Sequence, residues 1–139
     1  LPYDRMKEDL EKFSYLNSKS VFYCILEGDL HEIDLEKKKD KILESGLVNE
    51  SLTASKDQSI IAIEKEQNLY KNKQIEMIDL ESGKKQNFTT GSDKRIRAVG
   101  FLSNDFIYGE ANAVNVSKSS NGTVSFPITK IHIVDICFC

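Results

Sequence analysis

Three short segments of the chain repeat one another: Ile33-Asp34-Leu35, Ile78-Asp79-Leu80 and Val134-Asp135-Ile136. Their aspartates are spaced 45 and 56 residues apart. Each ends an apolar strand-like run, and earlier in the first and third repeats Tyr15-Leu16-Asn17 is matched by Phe101-Leu102-Ser103. Self-similarity at this period restricts the fold to copies of one supersecondary unit that stack to bury a shared core.

The clearest piece of that unit is Arg95 to Glu110. Two apolar runs, AVGFL and FIYG, flank a polar Ser103-Asn104-Asp105 turn, which predicts a tight antiparallel hairpin. The same rhythm appears earlier. The runs KFSYL, Val21 to Leu26, LHEIDL and KILES are separated by Asn17-Ser18-Lys19, Glu27-Gly28-Asp29 and the polar hinge Glu36 to Asp40. In the second copy, Leu52 to Ala54, Ser59 to Glu64, Ile75 to Leu80 and Lys85 to Thr89 follow in the same order. The third copy passes from the hairpin through the insertion Ala111 to Thr129 to Lys130 to Ile136, before any fourth strand. The polar stretch 1–10, with Met6 and Leu10 at helical spacing, is expected as a lead-in of helical turn or mobile chain.

These patterns predict an all-β protein of about three four-stranded antiparallel propeller blades, the last incomplete, at about 11–46, 51–90 and 94–136 within a partial propeller spanning 11–139. A β-sandwich of the same hairpins is the alternative. The strand-turn-strand repeats and the I-D-[LI] pattern resemble bacterial propeller domains of the irregular, WD-like or dipeptidyl-peptidase-like kind, although Trp-Asp and Gly-His signatures are missing. The resemblance implies a piece of a larger propeller. The stretch FLSNDFIYGEAN is similar to stretches of large bacterial cell-surface or lipid-anchored proteins of unknown function, which implies an extracytoplasmic location, anchored elsewhere.

Charge and motif content narrow the function classes. A net charge of −3 argues against a dedicated nucleic-acid binder, and the Lys37-Lys38-Lys39 and Lys84-Lys85 runs sit in turns beside acidic residues. No run of 18 apolar residues predicts a membrane span. Cys24, Cys137 and Cys139 fit no zinc spacing; Cys24 reads as a small buried hydrophobe, and the other two lie on one side of an extended strand. Nucleophile-elbow, phosphate-loop and EF-hand motifs are all missing, so the chain is read as non-catalytic, with no cofactor and no metal. His31 and His132 each precede the repeated Asp by three positions, so the repeat accounts for them better than a shared site does. Asp34, Asp79 and Asp135 are expected to bond nearby backbone amides at turns. The sequons at Asn49, Asn87, Asn115 and Asn121 follow from an Asn- and Ser-rich composition.

Naming the strands of a unit a to d, the a–b and c–d turns are short. The b–c and d–a connections carry the length, and loops that vary on a repeating scaffold are where binding is placed. The candidate binding residues are Asn68 and Tyr70 in one b–c connection, Asp93, Lys94 and Arg95 at a d–a connection, and Asn112 and Asn115 in the insertion, which is expected to project as a β-arm around Ser119-Ser120-Asn121-Gly122. Arg95 and Arg97 could line a channel mouth and grip an acidic or carbonyl-bearing partner, or pair with acidic turns of neighbouring units; pairing is the expectation. The function expected is an interaction module for a protein, peptide or glycan, with self-association through open blade faces. The alternative is an accessory propeller that gates or recruits substrate for an enzyme domain outside these residues.

Overall fold

The computed structural model describes residues 1–136, so the readings of Cys137 and Cys139 lie outside the described residues. The chain is mainly β, built from small antiparallel sheets. It opens with the helix α1 (Tyr3–Lys12), longer than the expected lead-in turn. Pro2, its φ fixed near −60°, stands at the helix start; Asp4 in the first turn and Lys12 in the last complement the helix dipole. Phe13 ends the helix and drops into the core, which fastens this segment to the first sheet.

The first sheet runs in the order β1 (Ser14–Leu16), β2 (Val21–Leu26), β3 (Asp29–Asp34) and β4 (Lys39–Glu44). The second has the same meander order, β5 (Leu52–Ala54), β6 (Ile60–Glu64), β7 (Gln74–Asp79) and β8 (Lys85–Thr89). In the third, β9 (Lys94–Leu102) and β10 (Asp105–Asn112) form the expected hairpin, and β13 (Lys130–Asp135) pairs with β10. The hairpin turn is tighter than expected: Asp105 already pairs with Leu102, leaving only Ser103 and Asn104 in the turn.

The insertion departs from its reading. Strand β10 continues to Asn112, Ala113–Asn115 is one 3₁₀ turn rather than a strand, and the arm is reduced to β11 (Ser117–Lys118) against β12 (Val124–Ser125). Asn112 and Val116 are extended on either side of that turn, so the AVNV run is bent where alternation predicted a straight strand.

Alternation along the strands builds two apolar layers. Tyr23 and Leu30 of the first sheet pack on Ile61, Ile63 and Ile78 of the second. From the opposite face of the second sheet, Ala62, Ile75 and Met77 meet Ile96, Phe106 and Tyr108 of the third. The second sheet is therefore covered on both sides, which is why β6 and β7 read as nearly continuous apolar runs. Strands β6 and β10 belong to different sheets, and three stacked sheets replace the two of a simple sandwich. Phe88, Phe101, Phe106 and Tyr108 form a connected aromatic group between the second and third sheets, at centroid separations of 5.0 to 6.0 Å.

The repeated aspartates behave as turn residues. Asp34 accepts from the N–H groups of Glu36 and Lys37, and Asp79 from those of Glu81 and Ser82. Asp135 instead shares a hydrogen bond with its cross-strand partner Asp105, which raises the Asp105 carboxyl above the usual range. The amides beyond Ile136 lie outside the described residues.

Candidate functional site

The b–c connection of the second unit is fixed before it can present anything. Asn72, fully buried, accepts from the Ile96 N–H through its carbonyl at 2.9 Å and donates its Nδ2 to the Ile96 carbonyl at 2.9 Å. One residue thereby imitates a strand pairing with β9. Its side-chain oxygen is buried without a hydrogen-bond partner among the described residues. Just upstream, the 3₁₀ turn Leu69–Lys71 is closed by the Asn68 carbonyl accepting from the Lys71 N–H.

This clamp carries Tyr70. The Lys71 and Lys118 ammonium groups lie 5.8 and 5.9 Å from its ring centroid, both within cation–π range. Lys118 belongs to the short arm, so the arm folds beside the Tyr70 loop. The sequence reading had paired neither lysine with Tyr70. Spacing could not reveal the Lys118 contact, because the two residues come from different units.

The other candidate residues form a second group at the β9–β10 end. Lys94 and Asn112 are cross-strand partners, and the Lys94 ammonium donates to the Asn112 side-chain oxygen. Asp93 accepts from the Ala113 N–H through its carbonyl, which joins the d–a connection to the insertion. Arg95 folds back to donate to the Ser92 carbonyl at 2.8 Å and the Lys94 carbonyl at 2.6 Å. Asn115 ends the 3₁₀ turn of the insertion, exposed. The structure thus brings Asp93, Lys94, Asn112 and the insertion together and sets Tyr70 against the arm.

The expected pairing of strand-a arginines with acidic neighbours divides between the two. Arg95 stays on its own loop, whereas Arg97 Nε lies 2.9 Å from the Glu64 carboxylate and its NH2 lies 3.5 Å from that of Glu50. Glu64, 1% exposed, also accepts the Ala98 N–H. Burial raises its pKa, and the Ala98 amide and Arg97 offset part of that shift. A comparable bridge joins the first two units, with Lys65 between Glu44 at 3.1 Å and Glu76 at 3.5 Å. Desolvation lowers its pKa, and the two carboxylates more than restore it.

Both histidines meet a carboxylate: His31 Nδ1 lies 2.8 Å from Asp40, and His132 Nε2 lies 3.2 Å from Glu110 while its ring stacks on Tyr108 at 4.4 Å. These are separate pairs in separate sheets. Among the described residues no three His, Cys, Asp or Glu side chains converge as metal ligands, and no helix is long and apolar enough to cross a membrane.

A cavity of about 600 Å³ opens at the loop-rich end between α1 and the first d–a connection, lined by Arg5, Asp9, Lys12, Glu27, Asn49 and Glu50 among others. Sequence reasoning missed it because residues 1–10 carried no fixed place. A shallower recess of about 1020 Å³ lies at the opposite, short-turn end, between Asp57, Lys84 and Asn104. No protein-family model matches the chain, and no curated protein sequence matches it.

Proposed function

We propose that the chain is a non-catalytic interaction module, a section of a β-propeller whose b–c and d–a loops meet a protein or peptide partner bearing acidic side chains. The observation that carries this reading is that the Lys71 and Lys118 ammonium groups both lie within cation–π range of Tyr70, on a loop clamped by Asn72. A fixed aromatic ring gives contact area with little ordering cost, and two flanking cations favour carboxylates. Lys94, held by Asn112 at the start of β9, adds positive charge at the same end of the unit. The repeated meander order and the two apolar layers support the propeller reading.

Titration of the full chain with Glu- and Asp-rich peptides, against neutral peptides of equal length, tests the proposal. Acidic peptides should bind with an affinity that falls as salt rises. Tyr70→Ala and Lys118→Ala should each weaken binding about tenfold, the loss of one strong interface contact, at unchanged melting temperature. Equal binding of neutral peptides, or binding indifferent to both substitutions, would overturn the reading.

A further inference from the structure

Arg5, Asp9 and Lys12 fall on one face of α1 and form one side of the cavity of about 600 Å³ at the loop-rich end. Its floor is apolar. Phe13, Ile25, Leu47 and Leu52 meet there from the end of the helix, β2, the first d–a connection and β5. The Glu27-Gly28 turn and residues 48–50 complete the wall.

These walls are fastened to one another through the backbone. Asp9 accepts the Glu27 N–H at 3.1 Å, which holds the helix to the β2–β3 turn. The Leu47 N–H donates to the Gly28 carbonyl at 2.9 Å. The Val48 N–H donates to the Ser51 hydroxyl and the Ser51 N–H to the Val48 carbonyl, a closed turn whose Ser51 carbonyl accepts the Glu64 N–H of β6. A cavity built this way is formed before anything enters it, so little ordering is left to binding.

Its charges are left unmatched. Arg5, Lys12 and Glu27 form no ion pair among the described residues, although both cations are spaced from Asp9 at intervals that permit pairing on a helix. Asp9 is engaged with the Glu27 amide, and Glu50 lies 3.5 Å from Arg97. Two cations and one carboxylate therefore rim an apolar floor without partners. The volume is that of a small-molecule site and too small for a folded partner. Arg5 and Lys12 are about 10 Å apart along the helix, the reach of about three extended residues.

We propose that this cavity binds a short apolar peptide with both ends free, about three residues long. Its α-carboxylate is taken on the α1 side by Arg5 and Lys12, its α-ammonium by Glu27, and its side chains by the floor of Phe13, Ile25, Leu47 and Leu52. The cavity shares no lining residue with the Tyr70 loop, and its ligand is zwitterionic and apolar where the partner of that loop is acidic.

The test is titration of the isotope-labelled full chain with trileucine, with its N-acetyl form and with its C-terminal amide. Saturable shifts should centre on the Asp9, Glu27, Gly28 and Leu47 amides, with a dissociation constant below about 1 mM for the free peptide. Each blocked form should bind about fivefold more weakly, the upper end of what a solvent-exposed ion pair contributes. Glu27→Gln should weaken the free peptide to the same degree and remove the penalty of N-acetylation, and Arg5→Gln combined with Lys12→Gln should do so for amidation. All three side chains are exposed, so the variants keep the fold, and the blocked peptides test the site without altering the protein. Lack of saturable binding, or shifts centred on Tyr70 and Lys118, would overturn the proposal. So would a singly blocked form that binds as well as the free peptide, because the site would then read one chain end, as for a protein terminus.

Discussion

The Arg97 guanidinium holds the buried Glu64 carboxylate at 2.9 Å across the junction between the second and third sheets, where Glu64 also takes the Ala98 N–H. Glu64 ends an apolar strand, and its charge has little water to fall back on. Removing one partner of a buried ion pair leaves the other uncompensated. Arg97→Ala is therefore expected to lower unfolding free energy by about 3–5 kcal/mol, read as a lower urea midpoint at unchanged slope. Adding Glu64→Gln should recover part of that loss, since a neutral amide is easier to bury and its oxygen can still accept the Ala98 amide. A double variant no more stable than Arg97→Ala would show that the pair acts through packing rather than charge.

Gly28 is expected to tolerate no side chain. Its φ is +81°, and a Cβ there would lie 2.8 Å from the Leu47 carbonyl oxygen, a backbone atom that itself belongs to the linked chain beyond β4. The Leu47 N–H donates to the Gly28 carbonyl, so neither side can retreat without breaking that bond. Gly28→Ala should destabilise by more than the ~1 kcal/mol typical of an ordinary substitution. Gly83→Ala is the control: its φ is also positive, at +77°, but nothing lies within 4 Å of the added carbon, so only backbone strain remains. Thermal melts of the two variants separate strain from collision.

Alkaline pH should loosen the first sheet. The Tyr15 hydroxyl donates to Glu81 at 2.7 Å, and that bond, with burial and the Glu81 charge, raises its pKa from 10.0 to about 12. Burial raises Cys24 from 9.0 to about 11, and pushes Tyr23 up further. For each group the folded-state pKa exceeds the unfolded one, so more protons stay bound in the folded state. The stabilisation is complete below the unfolded value and is lost as pH rises through the folded value. Unfolding midpoints should fall between about pH 9 and 12, and Tyr15→Phe should flatten the fall above pH 10. An identical slope in that variant would mean that the Tyr15–Glu81 bond plays no part.

The legible part of the fold was the part governed by alternation. Runs such as Ser59 to Glu64 and Ile75 to Leu80 carry both periodicity and turn residues at their ends, and they fell close to β6 and β7. The Asp turns at 34 and 79 were equally local. What sequence could not supply were contacts between units: Tyr70 with Lys118, Asn72 with Ile96, Glu64 with Arg97. Each joins residues whose chain separation carries no period. The arm was legible at its Asn-Gly turn, but the length of its strands was not, since Asn-Gly marks a turn without setting strand length, and β11 and β12 bury neither of their faces.

That shallow burial leads to the last prediction. Among the described residues, strands β11 and β12 pair only with each other, and both are exposed. The segments that anchor the insertion lie outside them. The Ala113 N–H donates to the Asp93 carbonyl, the Thr129 N–H donates to the Glu110 carbonyl, and the Ile128 side chain fills the space over Gly109. Replacing residues 117–125 by a short Gly-Ser link should leave the melting temperature within about 2–4 °C of the parent, the shift that 1 kcal/mol brings in a chain of this size. The same replacement removes Lys118 from Tyr70, so acidic-peptide binding should fall while the fold survives. Loss of soluble protein on this replacement would show that the arm is needed for folding. Retention of full peptide affinity would remove Lys118 from the binding surface and leave Lys71 as the one cation held over Tyr70.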